Sequence, residues 1–107
     1  MLKLKEQTKC PLTVTLQLIG GRWKTIILYT LTTGTKRFGE IAVRIPGISR
    51  KVLTEQLKEL EADGLFLREQ YKEIPPRVEY SLTDLGKSLS SVIRELEKWG
   101  MENVLVN

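Results

Sequence analysis

The stretch from residue 45 to residue 65, IPGISRKVLTEQLKELEADGL, restricts the possible folds most, because it contains both the start and the stop of one helix. Pro46-Gly47 is a turn dipeptide, and Ser49 is a good N-cap because its hydroxyl accepts a hydrogen bond from an orphan backbone N–H. Three leucines follow at i, i+4 and i+7, the spacing of a helix that buries one face: Leu53, Leu57 and Leu60. Gly64 ends the helix, since glycine adopts the left-handed conformation at little cost.

The opposite face of this helix begins with hydrogen-bond donors. From the helix start onward, these are Ser49, Arg50, Lys51, Thr54 and Lys58. Donors of these kinds suit the base edges of a DNA major groove. Carboxylates that repel phosphate lie on the same helix, at Glu55, Glu59, Glu61 and Asp63. Taken alone, the stretch therefore favours an ordinary amphipathic helix with a solvated face.

The segments on both sides change that interpretation. Upstream, a short helical pattern ends at the Pro46-Gly47 turn; its apolar positions are Phe38, Ile41, Ala42 and Ile45. Two short helices joined by a tight turn fit a helix-turn-helix, whose second helix enters the major groove. Downstream, residues 65–71 and 78–82 read as strands around a loop with two prolines, which cannot continue a ladder. The combination predicts a helix-turn-helix followed by a β-hairpin wing.

The N-terminal third of the chain reads mainly as helix. Pro11 favours a first helical position, and the helix it starts, over about residues 11–19, stops at Gly20-Gly21. A second helix covers about residues 22–32, whereas residues 1–9 read as a flexible basic arm. We expect a mostly α fold with a small β-hairpin (α+β), in a single domain that spans residues 1–107.

The C-terminal segment predicts one long helix that begins after Thr83 as N-cap and covers residues 84–105. Its apolar stripe consists of Leu85, Leu89, Val92, Leu96 and Trp99. Part of this stripe must pack on the chain's own core. For the remainder we expect a second copy of the chain, because a symmetric dimer presents two reading helices to one duplex.

Composition restricts the function class. The chain has 107 residues, a net charge of +4 and no histidine, and Cys10 is its single cysteine. Nucleophilic catalysis and metal binding lack their usual residues, so we expect neither an enzyme nor a cofactor. The sequence contains no signal-peptide pattern and no membrane-spanning run, and one cysteine fits a reducing cytoplasm.

Several segments, in order, resemble the HxlR-type winged helix-turn-helix regulators of bacteria, a branch of the MarR-like architecture. They are residues 10–28, 37–41, 45–65, 71–86 and 99–100. The resemblance implies a cytoplasmic homodimer that binds double-stranded operator DNA and regulates transcription. It also implies dimerisation through the first and last helices, for which the candidate residues are Leu12, Leu89, Val92, Leu96 and Trp99.

Carried over residue by residue, the resemblance assigns the reading helix to about residues 49–63. The candidate DNA contacts on this helix are Ser49, Arg50, Lys51, Thr54 and, deeper along it, Lys58. Lys36 and Arg37, at the start of the preceding helix, are candidate phosphate contacts, and Lys72 and Arg77 belong to the wing. For Arg77 two interpretations stay open, namely contact with a minor groove or phosphate, and an exposed loop arginine without a partner.

Cys10 is a candidate sensor. The resemblance implies that a cysteine at this Cys-Pro position reacts with oxidants or electrophiles, and a helix N-terminus beside Lys9 favours the reactive thiolate. With one cysteine, the remaining reactions are a bridge between subunits, a mixed disulfide or alkylation. The alternative is a structural thiol at a helix start.

A second function class also stays open at the level of sequence. A winged helix can serve as a protein-interaction module without specific DNA binding, because a fold does not determine its function. The small-molecule effector, if there is one, is not readable from the residues.

Overall fold

The computed structural model describes residues 10–105, which form six helices and one two-stranded sheet. In chain order these are α1 (Pro11–Ile19), α2 (Lys24–Leu31), α3 (Phe38–Arg44), α4 (Arg50–Ala62), β1 (Phe66–Tyr71), β2 (Arg77–Leu82), α5 (Asp84–Lys87) and α6 (Ser90–Asn103). The expected mostly α fold with a small hairpin is confirmed. The basic arm predicted for residues 1–9 lies outside the described residues.

Helix α4 begins and ends through local hydrogen bonds that its sequence predicts. At its start, the backbone N–H of Val52 donates to the Ser49 hydroxyl at 3.1 Å. At its end, the N–H of Leu65 donates to the Leu60 carbonyl and that of Gly64 to the Glu61 carbonyl, the two bonds of a Schellman motif. Gly64 has φ +80°, a left-handed conformation that glycine adopts without penalty.

The hydrophobic core lies beneath α4. The three leucines of its apolar face are buried together with side chains of α2 and α3, and they are Leu53, Leu57 and Leu60. Burying one such side chain stabilises a fold by about 1.5–3 kcal/mol. Because the leucines point inward, the start of the opposite face of α4 is held towards solvent.

The hairpin is attached to the helix-turn-helix by a contact that the sequence did not suggest. Strands β1 and β2 pair antiparallel, from Phe66 opposite Leu82 to Tyr71 opposite Arg77. Lys36, just before α3, forms an isolated bridge to Tyr80, with backbone N–H···O bonds of 3.0 and 2.8 Å in the two directions. This bridge ties the wing to the start of α3.

The expectation of one continuous C-terminal helix from residue 84 is wrong. Helix α5 stops at Lys87, and a separate α6 starts at Ser90. At the break, the N–H of Leu89 donates to the carbonyl of Gly86, three residues back, at 3.1 Å. Gly86 itself packs closely, since an added Cβ would overlap the carbonyl oxygen of Leu65. After the break, α6 buries Ile93 in the core.

We predict that Gly86→Ala destabilises the fold by about 1–3 kcal/mol, because the new methyl group must displace the Leu65 backbone. The free energy of unfolding from urea denaturation measures this. Gly39→Ala is the matched control, since a Cβ there meets nothing within 4 Å and alanine favours a helix by up to ~1 kcal/mol. Equal stability of Gly86→Ala and the wild type would contradict the assigned packing.

Candidate nucleic-acid interface

The N-terminal half of α4 forms an exposed, positively charged surface. Its exposed hydrogen-bond donors, with the N-cap, are Ser49, Arg50, Lys51 and Thr54, and the carboxylate of Glu55 is exposed beyond the first turn. No carboxylate lies in the first turn of the helix. The helix dipole places partial positive charge at the same end, so the charges of Arg50 and Lys51 and the backbone favour an anion together.

Packing at the junction of α3 and α4 holds two of these side chains. The guanidinium carbon of Arg50 lies 4.7 Å from the centroid of the Phe38 ring, a cation–π contact. The Thr54 hydroxyl donates to the carbonyl of Arg50 at 2.8 Å. These contacts orient the start of the helix while Arg50 stays exposed.

A groove separates α4 from the wing. It is lined by Thr54, Leu57, Lys58, Glu61, Arg68 and Tyr80. Arg68 was not among the residues singled out in the sequence, yet it lies opposite Tyr80 in the hairpin, on the strand face that also carries the buried Phe66. The period-two alternation from Phe66 to Arg68 was the signal that could have identified it. Lys58 and Arg68 thus extend the basic surface from α4 to the wing.

The two candidate phosphate contacts before α3 have different surroundings. Lys36 is only 8% exposed, and its ammonium group donates to the Thr33 hydroxyl at 2.8 Å and to the Gly34 carbonyl at 3.4 Å. The side chain therefore closes the loop before α3, and the contact of Lys36 with DNA stays a prediction. Arg37, the N-cap of α3, is exposed.

The two wing candidates also differ. Lys72 is exposed directly after β1. Arg77 is not an exposed loop arginine without a partner, because it is the first residue of β2 and its guanidinium is bound within the wing. Its contact with a minor groove or a phosphate stays a prediction. Its Nη2 lies 2.8 Å from Glu73 Oε2, its Nη1 lies 3.2 Å from Glu79 Oε2, and its Cζ lies 4.0 Å from the Tyr71 ring centroid.

Carboxylates on the same side of the wing affect Tyr71. Burial of the phenol, followed by the charges of Glu69 and Glu79, raises the pKa of Tyr71 above its usual value. Its hydroxyl donates to Glu69 at 3.3 Å. Tyr71 therefore stays protonated at neutral pH and supplies a neutral aromatic face to Arg77.

Cys10 is exposed at the N-cap position of α1. A hydrogen bond from the Thr13 side chain, followed by bonds from the backbone N–H groups of Thr13 and Leu12, lowers the pKa of its thiol. A lowered pKa increases the thiolate fraction at neutral pH, and thiolate is the reactive form. Lys9, which the sequence places beside Cys10, lies outside the described residues.

Exposed apolar side chains gather on α2 and α6. This surface, which we call the apolar face, consists of Ile26, Tyr29, Val92, Leu96 and Trp99. The Tyr29 hydroxyl donates to Glu97 at 2.7 Å, and this bond raises the pKa of Tyr29. On α1, Leu12 is 67% exposed. Leu89, by contrast, is half-buried and packs against the core.

Within residues 10–105, no helix combines the length and the apolar character that crossing a bilayer requires.

Comparison with known proteins places these features in a family. Residues 18–106 match the model of the family described as HxlR-like helix-turn-helix. The chain is 52% identical over 91 residues to the uncharacterized HTH-type transcriptional regulator YdeP of Bacillus subtilis (strain 168), a match that covers 85% of this chain and 71% of YdeP.

Two solved structures share the fold as well as the sequence. The redox regulator HypR in its oxidized form is 47% identical, with a TM-score of 0.84, and the match covers 88% of this chain and 97% of HypR. A transcriptional regulator of the MarR family from Porphyromonas gingivalis W83 is 43% identical, with a TM-score of 0.87. The match covers 92% of this chain and 96% of that regulator's chain. The relatives are regulators and not enzymes, and this chain belongs to the HxlR-like helix-turn-helix family of transcriptional regulators.

Proposed function

We propose that this regulator binds operator DNA sequence-specifically as a homodimer, with the start of α4 in the major groove. The observation that carries the proposal is the surface of α4. The second helix of the helix-turn-helix presents exposed donors at its positively charged end, with no carboxylate in its first turn. Binding to chromosomal DNA would place the protein in the cytoplasm.

The proposed contacts divide by chemistry. Arg50 offers a bidentate contact to guanine, whereas Ser49, Lys51 and Thr54 suit base edges or phosphate. We assign contacts with the DNA phosphates to four side chains that lie around the start of α4, namely Arg37, Lys58, Arg68 and Lys72. Phosphate contacts position a protein on the duplex, so these four residues would set orientation and not base preference.

The dimer is proposed from the apolar face. Leu96 and Trp99 are 54% and 61% exposed, although both are large apolar side chains. Exposed apolar surface on this scale marks an interaction site. A second copy is the favoured partner because a two-fold dimer places two α4 helices on one face of a duplex.

Regulation through Cys10 completes the proposal. The exposed thiol has a lowered pKa, and one relative of known structure is named a redox regulator. With a single cysteine, the reaction is a bridge between subunits, a mixed disulfide or alkylation by an electrophile. Each would change α1, the helix that we assign to the dimer, and so the spacing of the two reading helices.

Arg50→Ala should relax base preference and cost about 1–3 kcal/mol of discrimination at one position of the half-site. Fluorescence anisotropy with duplexes selected from a random library measures both affinity and preference. Half-sites are expected roughly 10 base pairs apart or at a multiple of that, and affinity should fall steeply with salt. Arg94→Ala on α6 is the matched control, since it removes another exposed arginine, outside the proposed DNA contacts. Absence of salt-dependent duplex binding would favour the protein-interaction alternative.

Leu96→Glu should convert the dimer to a monomer and weaken operator binding with it, because a carboxylate would have to be buried unpaired. Analytical ultracentrifugation at micromolar concentration reports the oligomeric state. Val43→Glu makes the same chemical change at a side chain that is 80% exposed on α3, outside the apolar face. A wild type that sediments as a monomer and still binds its operator would contradict the dimer.

Diamide or a quinone should lower operator binding of the wild type and leave Cys10→Ser unaffected. The pH dependence of alkylation should give a midpoint below the ordinary thiol pKa, in line with the hydrogen bonds from Thr13 and Leu12. Equal loss of binding in both proteins would exclude Cys10 as the sensor and leave the DNA-binding proposal intact.

A further inference from the structure

Arg77 is held inside the wing by three groups that approach it from different sides. Glu73 lies 2.8 Å from Nη2, Glu79 lies 3.2 Å from Nη1, and the ring of Tyr71 faces the guanidinium carbon at 4.0 Å. The Arg77 side chain is 28% exposed. A planar guanidinium meets all three contacts at once, which the compact ammonium of lysine cannot do.

Two carboxylates of the hairpin lie close to Arg77. Glu69 lies directly opposite Glu79 in the hairpin, and like charges in a cross-strand pair destabilise a sheet. Arg77 lies next to this pair through its bond to Glu79. Its positive charge therefore offsets part of the repulsion between the two carboxylates.

The contact with Glu73 connects the strand to the loop. Glu73 follows Lys72 directly, and both residues belong to the loop between β1 and β2. The Arg77–Glu73 ion pair therefore holds the segment that carries Lys72 against the first residue of β2. The residue next to Lys72 is thus paired with an arginine that is itself turned towards carboxylates.

We propose that Arg77 is a positioning residue of the wing, which holds the loop in the orientation that lets Lys72 meet the DNA backbone, and which makes no phosphate contact of its own. The part that concerns DNA rests on the proposed function. The part that concerns the loop is a property of the free protein.

The free protein is tested first, by amide hydrogen exchange of Arg77→Lys, which keeps the net charge. Exchange of the β1 and β2 amides near the Tyr71–Arg77 end should accelerate on the order of tenfold, whereas amides near the Phe66–Leu82 end should be unchanged. Exchange equal to that of the wild type would overturn the proposal.

Operator binding at constant salt is tested next. Arg77→Lys should weaken binding on the order of tenfold, since the loop is no longer held, although its charge is kept. Arg94→Lys is the matched control and should bind as the wild type does, because it makes the same chemical change at an exposed arginine on α6, outside the proposed DNA contacts. Wild-type affinity of Arg77→Lys, together with faster exchange, would overturn the positioning role.

The double variant Glu73→Gln, Glu79→Gln distinguishes a positioning role of Arg77 from a direct phosphate contact, because the two predict opposite changes in operator affinity. It makes the protein more positive and releases Arg77, so a direct phosphate contact predicts tighter binding. The positioning role predicts weaker binding, and tighter binding would overturn it. If the wild type binds no DNA while Arg77→Lys still accelerates exchange, the proposed function fails and the structural role in the loop stands.

Discussion

Burial of the α4 leucines is the interaction on which the rest of the structure depends. Leu53, Leu57 and Leu60 are all at most 2% exposed, and they join α4 to the side chains of α2 and α3 in one core. A helix buried on one face has no freedom to rotate, because rotation would expose these leucines to water. The same burial therefore determines which residues of α4 face outward at its start.

The wing is positioned by a different interaction. Lys36 and Tyr80 exchange two backbone hydrogen bonds, and the buried lysine also closes the loop before α3 through Thr33. An isolated hairpin is marginal in water and requires packing or a further strand. The bridge supplies that support and links the wing to the helix-turn-helix. The lysine in this bridge, Lys36, is one that its charge alone would suggest as a DNA contact.

Two surfaces of the molecule differ in chemistry. Donors gather at the start of α4 and along its groove with the wing, whereas the apolar face lies on α2 and α6. Within the wing, the carboxylates around Arg77 neutralise a cation that would otherwise add to the basic surface. The basic surface of the wing therefore depends on Lys72 and Arg68, and the proposed positioning role of Arg77 accounts for the arrangement.

Local patterns in the sequence determined most of the helices and the hairpin, because N-caps, glycine stops and leucine spacing act over a few residues. The α4 start at Ser49 and its stop at Gly64 follow from such signals alone. Tertiary structure decided the contacts between residues that are distant in sequence, which local patterns cannot contain. Gly86 packs against the Leu65 backbone, a contact between distant segments that no local pattern contains. The surroundings of Lys36, Arg68 and Arg77 likewise depend on partners that lie across the hairpin or in another segment of the chain. Charge can be read from a residue's identity, but whether that charge faces solvent or a carboxylate is decided by how the segments pack.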